Sequence, residues 1–116
     1  MAFVLSEEQN MLRDMAKQFF SEQVPVANLR QLRDNASEDG FDQDVWKQIV
    51  ELGFAGILIP EEYGGLGLSP LELCVIAEEL GRASAPVPFS SSVYLATEAI
   101  KLFGTNEQKE KCKKQG

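Results

Sequence analysis

Residues 59–72 are the most informative part of this chain, and they read Ile59-Pro60-Glu61-Glu62-Tyr63-Gly64-Gly65-Leu66-Gly67-Leu68-Ser69-Pro70-Leu71-Glu72. An apolar run over residues 54–59 stops at Pro60, and three glycines then fall within four positions. Glycine carries no Cβ and therefore allows positive φ and close approach of the backbone. Such a loop in front of a helix either cradles a phosphate or fixes how two packed segments meet.

The helix that follows the loop has clear start signals. Ser69 is a natural N-cap, Pro70 suits the first helical position, and Glu72 completes a capping box. The apolar run before the loop has the length of a strand, but a single strand would have no partner. We therefore expect a short buried extended connection, then the glycine loop, then the helix.

Apolar residues recur at helical spacing through nearly the whole chain, which predicts an all-α bundle of about six helices. Ser6 with Gln9, and Thr105 with Gln108, form two further capping boxes, and Gly53 suits the position just after a helix. The fourth helix is apolar over most of its circumference, so we expect it at the centre of the bundle. The expected helices cover approximately residues 6–22, 25–33, 42–52, 69–80, 90–103 and 105 to the C terminus.

The glycine loop does not match the common phosphate-binding motifs. A dinucleotide-binding fingerprint that started at Gly65 would need glycine at position 70, where Pro70 stands. A Walker A motif that started at Gly64 would need glycine at position 69, where Ser69 stands. These mismatches favour a turn that sets helix geometry.

Size and charge exclude several classes of protein. The 116 residues have the length of one domain, with a net charge of −7 that argues against nucleic acid and anionic membranes. No run approaches the roughly 20 apolar residues that span a bilayer, and the N-terminus does not resemble a signal peptide. We expect a cytoplasmic protein without membrane insertion.

The side chains available for chemistry are few. The sequence contains no histidine, which removes the usual base of Ser-His and Cys-His catalysis. A zinc site would have to rely on carboxylates and the thiols of Cys74 and Cys112, so we expect no metal site. Cys74 lies on an apolar stripe of the fourth helix and is interpreted as a small core residue.

Glu78 is the carboxylate that the helical pattern places at least partly inside, whereas Glu79 is expected in solvent. Glu78 could act as a general base or form an ion pair with Arg82, four residues further on. The spacing favours the ion pair.

Three serines, Ser90, Ser91 and Ser92, open the fifth helix directly after a proline-rich break and lie among apolar residues. They either cap the helix or face an apolar cleft between domains.

Several segments together resemble the N-terminal helical domain of the acyl-CoA dehydrogenases, in order and in spacing. They are residues 5–9, 46–53, 60–67, 78–80 and 103–109, so the resemblance covers essentially the whole chain. It implies an FAD-dependent enzyme that oxidises an acyl-CoA to the 2,3-enoyl-CoA and passes electrons to an electron-transfer flavoprotein. The parent is expected to be a homo- or hetero-oligomer.

The same resemblance implies that residues 1–116 form only the first domain, without the middle β-domain and the C-terminal helical domain. The catalytic glutamate of the family lies in the C-terminal domain, so we expect no catalytic residue here. FAD belongs to the full-length parent and is not expected to be held by this chain alone. No cofactor-binding residue is assigned.

By resemblance, the region after Glu-Glu-Leu supplies one wall of the acyl pocket. The implied pocket residues are Val87, Phe89, Ser90, Ser91, Tyr94 and Leu95. The preceding stretch, residues 83–88, is richer in proline than in the straight-chain enzymes, so substrate length is not carried over. A free-standing helical interaction module or non-catalytic subunit is the alternative, and an acyl-CoA oxidase or flavin monooxygenase parent is a third possibility.

Overall fold

The computed structural model describes residues 4–36 and 38–113, and this part of the chain is helical without a β-strand. The prediction of an all-α fold with about six helices is confirmed. A π-helix, Ser90–Ala96, runs directly into the fifth α-helix. The α-helices are α1 (Glu7–Gln23), α2 (Val26–Asp34), α3 (Gln43–Glu51), α4 (Pro70–Arg82), α5 (Thr97–Phe103) and α6 (Asn106–Lys113).

The described residues divide by their contacts into two compact units, and the chain passes through each of them twice. Those within Met1–Asp42 and Leu71–Pro86 form the first unit. Those within Gln43–Pro70 and Val87–Gly116 form the second. Among the described helices, none combines the length and the hydrophobicity of a membrane span.

The first unit contains α1, α2 and nearly all of α4. Its α1 begins with the predicted capping box, in which the Gln9 N–H donates to Ser6 Oγ and the Ser6 N–H donates to Gln9 Oε1. The Gln9 side-chain amide also donates to the Glu72 carboxylate at 3.3 Å, which joins the first turn of α1 to the first turn of α4. Its buried apolar side chains are Ala16, Phe20, Val24, Val75 and Ile76.

The buried face of α4 differs from the predicted one. Glu79 is only 4% exposed, whereas Glu78 is exposed and Cys74 is exposed as a free thiol. The expectations for these three residues were therefore wrong, because the buried stripe follows Val75, Ile76 and Glu79. A glutamate is tolerated on that stripe when a cation reaches it.

Arg82 is that cation. Its Nε lies 3.4 Å from Glu79 Oε2, and its terminal nitrogen lies 3.2 Å from Glu78 Oε1. The predicted Glu78–Arg82 ion pair is confirmed, but both of its side chains are more than 60% exposed, so it adds little to stability. The contact with Glu79 matters more, since it compensates a carboxylate that is removed from water.

The second unit contains α3, the glycine loop, the π-helix, α5 and α6. Gly53 follows α3 with φ of +84°, which confirms it as the residue after the helix. The predicted capping box of α6 is also present, formed by Thr105 and Gln108. The fully or nearly fully buried side chains of this unit are Val45, Ile49, Phe54, Ile57, Leu58, Phe89 and Val93.

The apolar run is buried as predicted, but it is coiled and not extended. Phe54–Gly56 forms a turn of 3₁₀-helix, and Ile57 keeps helical angles of φ −59° and ψ −37°. The Gly56 N–H donates to the Gly53 carbonyl and the Ile59 N–H donates to the Gly56 carbonyl, at 3.0 and 3.1 Å. Buried amides need partners, and tight turns supply them locally where no neighbouring strand exists.

Gly65 is required by close packing. A Cβ built on this residue would overlap the Ile59 carbonyl group and its side chain. In contrast, a Cβ on Gly81, which lies within α4, would have no heavy atom within 4 Å.

We expect Gly65→Ala to lower the free energy of unfolding by about 1–3 kcal/mol, since the loop must shift to accept a methyl group. The matched control, Gly81→Ala, should raise it by about 0.5–1 kcal/mol, because alanine is the better helix former. Urea denaturation followed by circular dichroism measures both changes. Equal effects of the two substitutions would contradict the packing role of Gly65.

Candidate functional site

In the glycine loop, the backbone amides of residues 64–68 are not free to bind a phosphate. The amides of residues 64–68 all donate to carbonyls of residues 56–61, over N···O distances of 2.8–3.2 Å. A phosphate-binding loop needs several N–H groups that point at the ligand. The turn interpretation of the loop is therefore favoured over the phosphate interpretation on structural grounds as well.

We expect the amide NMR resonances of residues 64–68 to stay unchanged when inorganic pyrophosphate is added, because their N–H groups are already bonded within the chain. The amides of Ser90 and Ser91, two exposed residues at the start of the π-helix, serve as the comparison for general ionic effects. Saturable shifts confined to residues 64–68 would show that the loop binds phosphate after all.

The second candidate region is the start of the fifth helix, where the structure differs from an ordinary α-helix. The predicted helix over residues 90–103 exists, but its first half is the π-helix Ser90–Ala96, and α-helix begins only at Thr97. In the π-helix, the Thr97 N–H bonds the Ser92 carbonyl, five residues back. Such segments occur frequently at functional sites.

The six predicted pocket residues have different environments in this segment. Phe89 is fully buried, and its ring meets the ring of Tyr94 edge to face, with centroids 5.6 Å apart. Ser90 and Ser91 are exposed, and Leu95 is 70% exposed. Val87 and Tyr94 are half-buried. Of the six residues, the exposed ones are thus open to contact, whereas Phe89 packs against the ring of Tyr94.

The second unit also contains an open cleft of about 650 Å³, a volume within the usual range of ligand sites. It lies among α3, the glycine loop, the segment that includes Ser92 and Thr97, and α6. The apolar side chains that line it are Trp46, Val50, Ala55, Ile59, Leu66 and Ile100. None of the six predicted pocket residues is among its lining residues, whereas the third serine of the run is.

The polar groups of the cleft include Lys101, Lys109 and Glu62. The positive charge of Lys101 is partly balanced by Glu98, because its ammonium lies 3.3 Å from Glu98 Oε1. Cys112 also lines the cleft, but the lining residues contain no imidazole that could activate its thiol. The cleft can therefore hold an apolar group, and its lining includes no nucleophile paired with a base.

Sequence reasoning named Ser92 as part of the serine run that caps the helix or faces an apolar cleft, but it missed Thr97. In a π-helix, residues that share a face recur at a longer spacing than in an α-helix. The sequence signal that could have drawn attention to Thr97 is the pair of prolines just before the segment. Among the described residues, no cluster of histidine, cysteine or carboxylate side chains has the arrangement of a metal site.

Comparison with known proteins gives the family. A family model described as "Acyl-CoA dehydrogenase, N-terminal domain" matches residues 6–115. The chain belongs to the acyl-CoA dehydrogenase family as an N-terminal domain. The resemblance carried by the glycine loop and its flanking segments is thereby confirmed.

Two relatives show the extent of the similarity. The probable acyl-CoA dehydrogenase YngJ of Bacillus subtilis is 36% identical over 112 residues, which are 95% of this chain and 28% of that protein. The mitochondrial isovaleryl-CoA dehydrogenase of Pongo abelii is 38% identical over 109 residues, which are 92% of this chain and 25% of that protein. This acyl-CoA dehydrogenase domain thus spans only about a quarter of the length of such relatives.

Solved structures agree with the family assignment. A chain from a study of the electron transferring flavoprotein of Acidaminococcus fermentans matches with a TM-score of 0.81 and 35% identity, covering 96% of this chain and 29% of that one. A chain of the ChsE4-ChsE5 complex from Mycobacterium tuberculosis matches with a TM-score of 0.69 and 26% identity, covering 94% and 27%. Both structures thus share the helical fold of this chain over more than nine-tenths of its length.

Proposed function

We propose that this chain is the N-terminal domain of an enzyme that introduces a double bond between the α and β carbons of an acyl-CoA thioester. The observation that carries the proposal is the family match over residues 6–115, together with relatives named for acyl-CoA substrates. Within that enzyme, the start of the fifth helix forms one wall of the acyl pocket.

The exposed side chains of this segment suit a wall for an acyl group. Leu95 offers apolar surface, and the small hydroxyl side chains of Ser90 and Ser91 leave room beside it. Phe89 and Val93 are fully buried and anchor the segment from below. Burial of the acyl group against such a wall would exclude water from the reacting carbons.

The segment can bind and orient a substrate, but it is not equipped to remove the α proton. Among residues 87–96 the only titratable side chain is the phenol of Tyr94, and a carboxylate is the base that the family resemblance implies. We therefore infer that this domain makes a pocket and that the proton-abstracting base lies elsewhere in the complete protein.

FAD is the cofactor that family membership supports for the complete protein. The loop around Gly64 does not fit the diphosphate of this cofactor, since the amides of residues 64–68 are all bonded to carbonyls of the chain. We assign no flavin contact to these residues and expect the isolated chain to hold no FAD.

The partners of the complete protein are proposed from the same relationships. An electron-transfer flavoprotein would take the electrons, and assembly into an oligomer is supported by the complex that one structural relative forms. Leu102 and Phe103, near the end of α5, are 65% and 86% exposed. Apolar surface of this kind suits contact with further protein.

The same exposed pair favours the alternative, in which the chain is a free-standing helical module or non-catalytic subunit that docks on a partner. The reading frame of the gene distinguishes the two proposals. Continuation into further coding sequence supports the enzyme, and a stop codon directly after position 116 supports the module.

We expect the complete gene product to bind FAD and to reduce an artificial electron acceptor when supplied with acyl-CoA esters, whereas residues 1–116 alone should do neither. Flavin absorbance and dye reduction over a panel of straight, branched and cyclic acyl-CoA esters measure this. Stoichiometric flavin and turnover in the isolated chain, or no turnover by the complete protein with any ester, would contradict the proposal.

In the complete protein, Leu95→Trp should lower kcat/KM for bulky acyl-CoA esters by about tenfold or more, because the larger ring narrows the pocket. Met11→Trp on α1 is the matched control, since Met11 is 72% exposed and Leu95 is 70% exposed. The kcat/KM of the Met11→Trp control for the same esters should stay within about twofold of the parent's value. Equal kcat/KM values in the two variants would remove Leu95 from the pocket wall.

A further inference from the structure

The π-helix Ser90–Ala96 needs a specific cause. Its hydrogen bonds join residue i to residue i+5, whereas those of an α-helix join residue i to residue i+4. Helices of the π type are rare and mostly limited to single turns, so local interactions have to favour this one over the α-helix.

Thr97 supplies such an interaction at the C-terminal end. Its backbone N–H donates to the Ser92 carbonyl, and its hydroxyl donates to the same oxygen at 2.7 Å. A threonine inside an α-helix bonds the carbonyl three or four residues back, but here the acceptor is five residues back. The Thr97 hydroxyl therefore stabilises the π register over the α register.

Ser92 is also fixed from its N-terminal side. Its N–H donates to the Pro88 carbonyl at 3.2 Å, and the Ser91 hydroxyl donates to the same carbonyl at 3.3 Å. Pro88 has a fixed φ and no N–H, which makes it a rigid acceptor. The peptide groups of Ser92 are thus held between Pro88 and Thr97, and the single turn between them determines the register of the whole segment.

The register decides which side chains face outward. Phe89 and Val93 are fully buried, while Ser90, Ser91 and Leu95 are exposed. Downstream, α5 continues directly from the π-helix and also contacts α6. A change of one residue in register would rotate the preceding side chains by about 100° relative to α5 and would replace the exposed set with another.

We propose that Thr97 is a positioning residue for acyl specificity: by bonding the Ser92 carbonyl through its hydroxyl, it holds Ser90, Ser91 and Leu95 outward as the pocket wall. This inference rests on the proposed function, because it assumes that the exposed face of the segment meets the acyl group. Thr97 acts through the backbone and does not itself have to touch the substrate.

The test compares Thr97→Val, which keeps the shape and removes the hydroxyl, with Thr97→Ser, which keeps the hydroxyl. Both substitutions are made in the complete gene product. Thr97→Ala serves as a second hydroxyl-free variant in case the protein with Thr97→Val does not fold. The measured quantities are the ratio of kcat/KM values for a straight-chain and a branched acyl-CoA, the flavin content, and amide hydrogen exchange at residues 92–97.

We expect Thr97→Val and Thr97→Ala to change the ratio of kcat/KM values by about tenfold while the flavin content stays that of the parent. For Thr97→Ser, the ratio should stay within about twofold of the parent's. Faster amide exchange at residues 92–97 should accompany the change. An unaltered ratio in the hydroxyl-free variants of an active parent overturns the role of Thr97 alone. If the parent oxidises no acyl-CoA, the proposed function is wrong and this inference fails with it.

Discussion

The hydrogen bonds between the glycine loop and the turn before it are the constraint on which the second unit depends. Five successive amides, those of residues 64–68, bond carbonyls of residues 56–61, so the chain folds back tightly on itself without forming a strand. Gly65 makes the approach possible, since a side chain there would meet Ile59. The same loop forms part of the lining of the open cleft, including the backbone at Gly64. A sequence feature that suggests ligand binding thus serves to organise the backbone.

The sequence predicts local features of this fold well where the cause is local. Two of the three predicted capping boxes, at Ser6 and at Thr105, are present, and each depends on residues three positions apart. Gly53 adopts its positive φ for a similar reason. In each case the interaction lies within one turn, so neither packing nor neighbours are needed to foresee it.

Features that depend on packing were predicted less well. The burial of Glu79 instead of Glu78 follows from the rotation of α4 by a fraction of a turn, which periodicity alone does not fix when two stripes are apolar. The coiled form of the run before Pro60 reflects the need of buried amides for partners. Tertiary contacts, which the sequence pattern does not contain, decide which face of α4 is buried and whether the run before Pro60 is coiled.

The site is the part that the sequence predicted in outline only. The region after the prolines was identified through family resemblance, but the π-helix within it could not be foreseen from periodicity. Its register depends on the hydroxyl of Thr97 and the carbonyl of Pro88, which are connected through Ser92 across the ten residues 88–97. The backbone hydrogen bonds of this segment set the π register, and that register decides which side chains share a face.

The division of the chain into two interleaved units has a consequence for biosynthesis. The first unit requires the segment Leu71–Pro86, and the second requires segments on both sides of it. Neither unit can therefore complete its contacts while the early part of the chain alone has left the ribosome. Closing contacts between segments so far apart in sequence costs chain entropy and slows folding. The nascent helices α1 and α2 must wait for α4, and α3 must wait for the segment from Val87 onward, before the contacts of their units are complete.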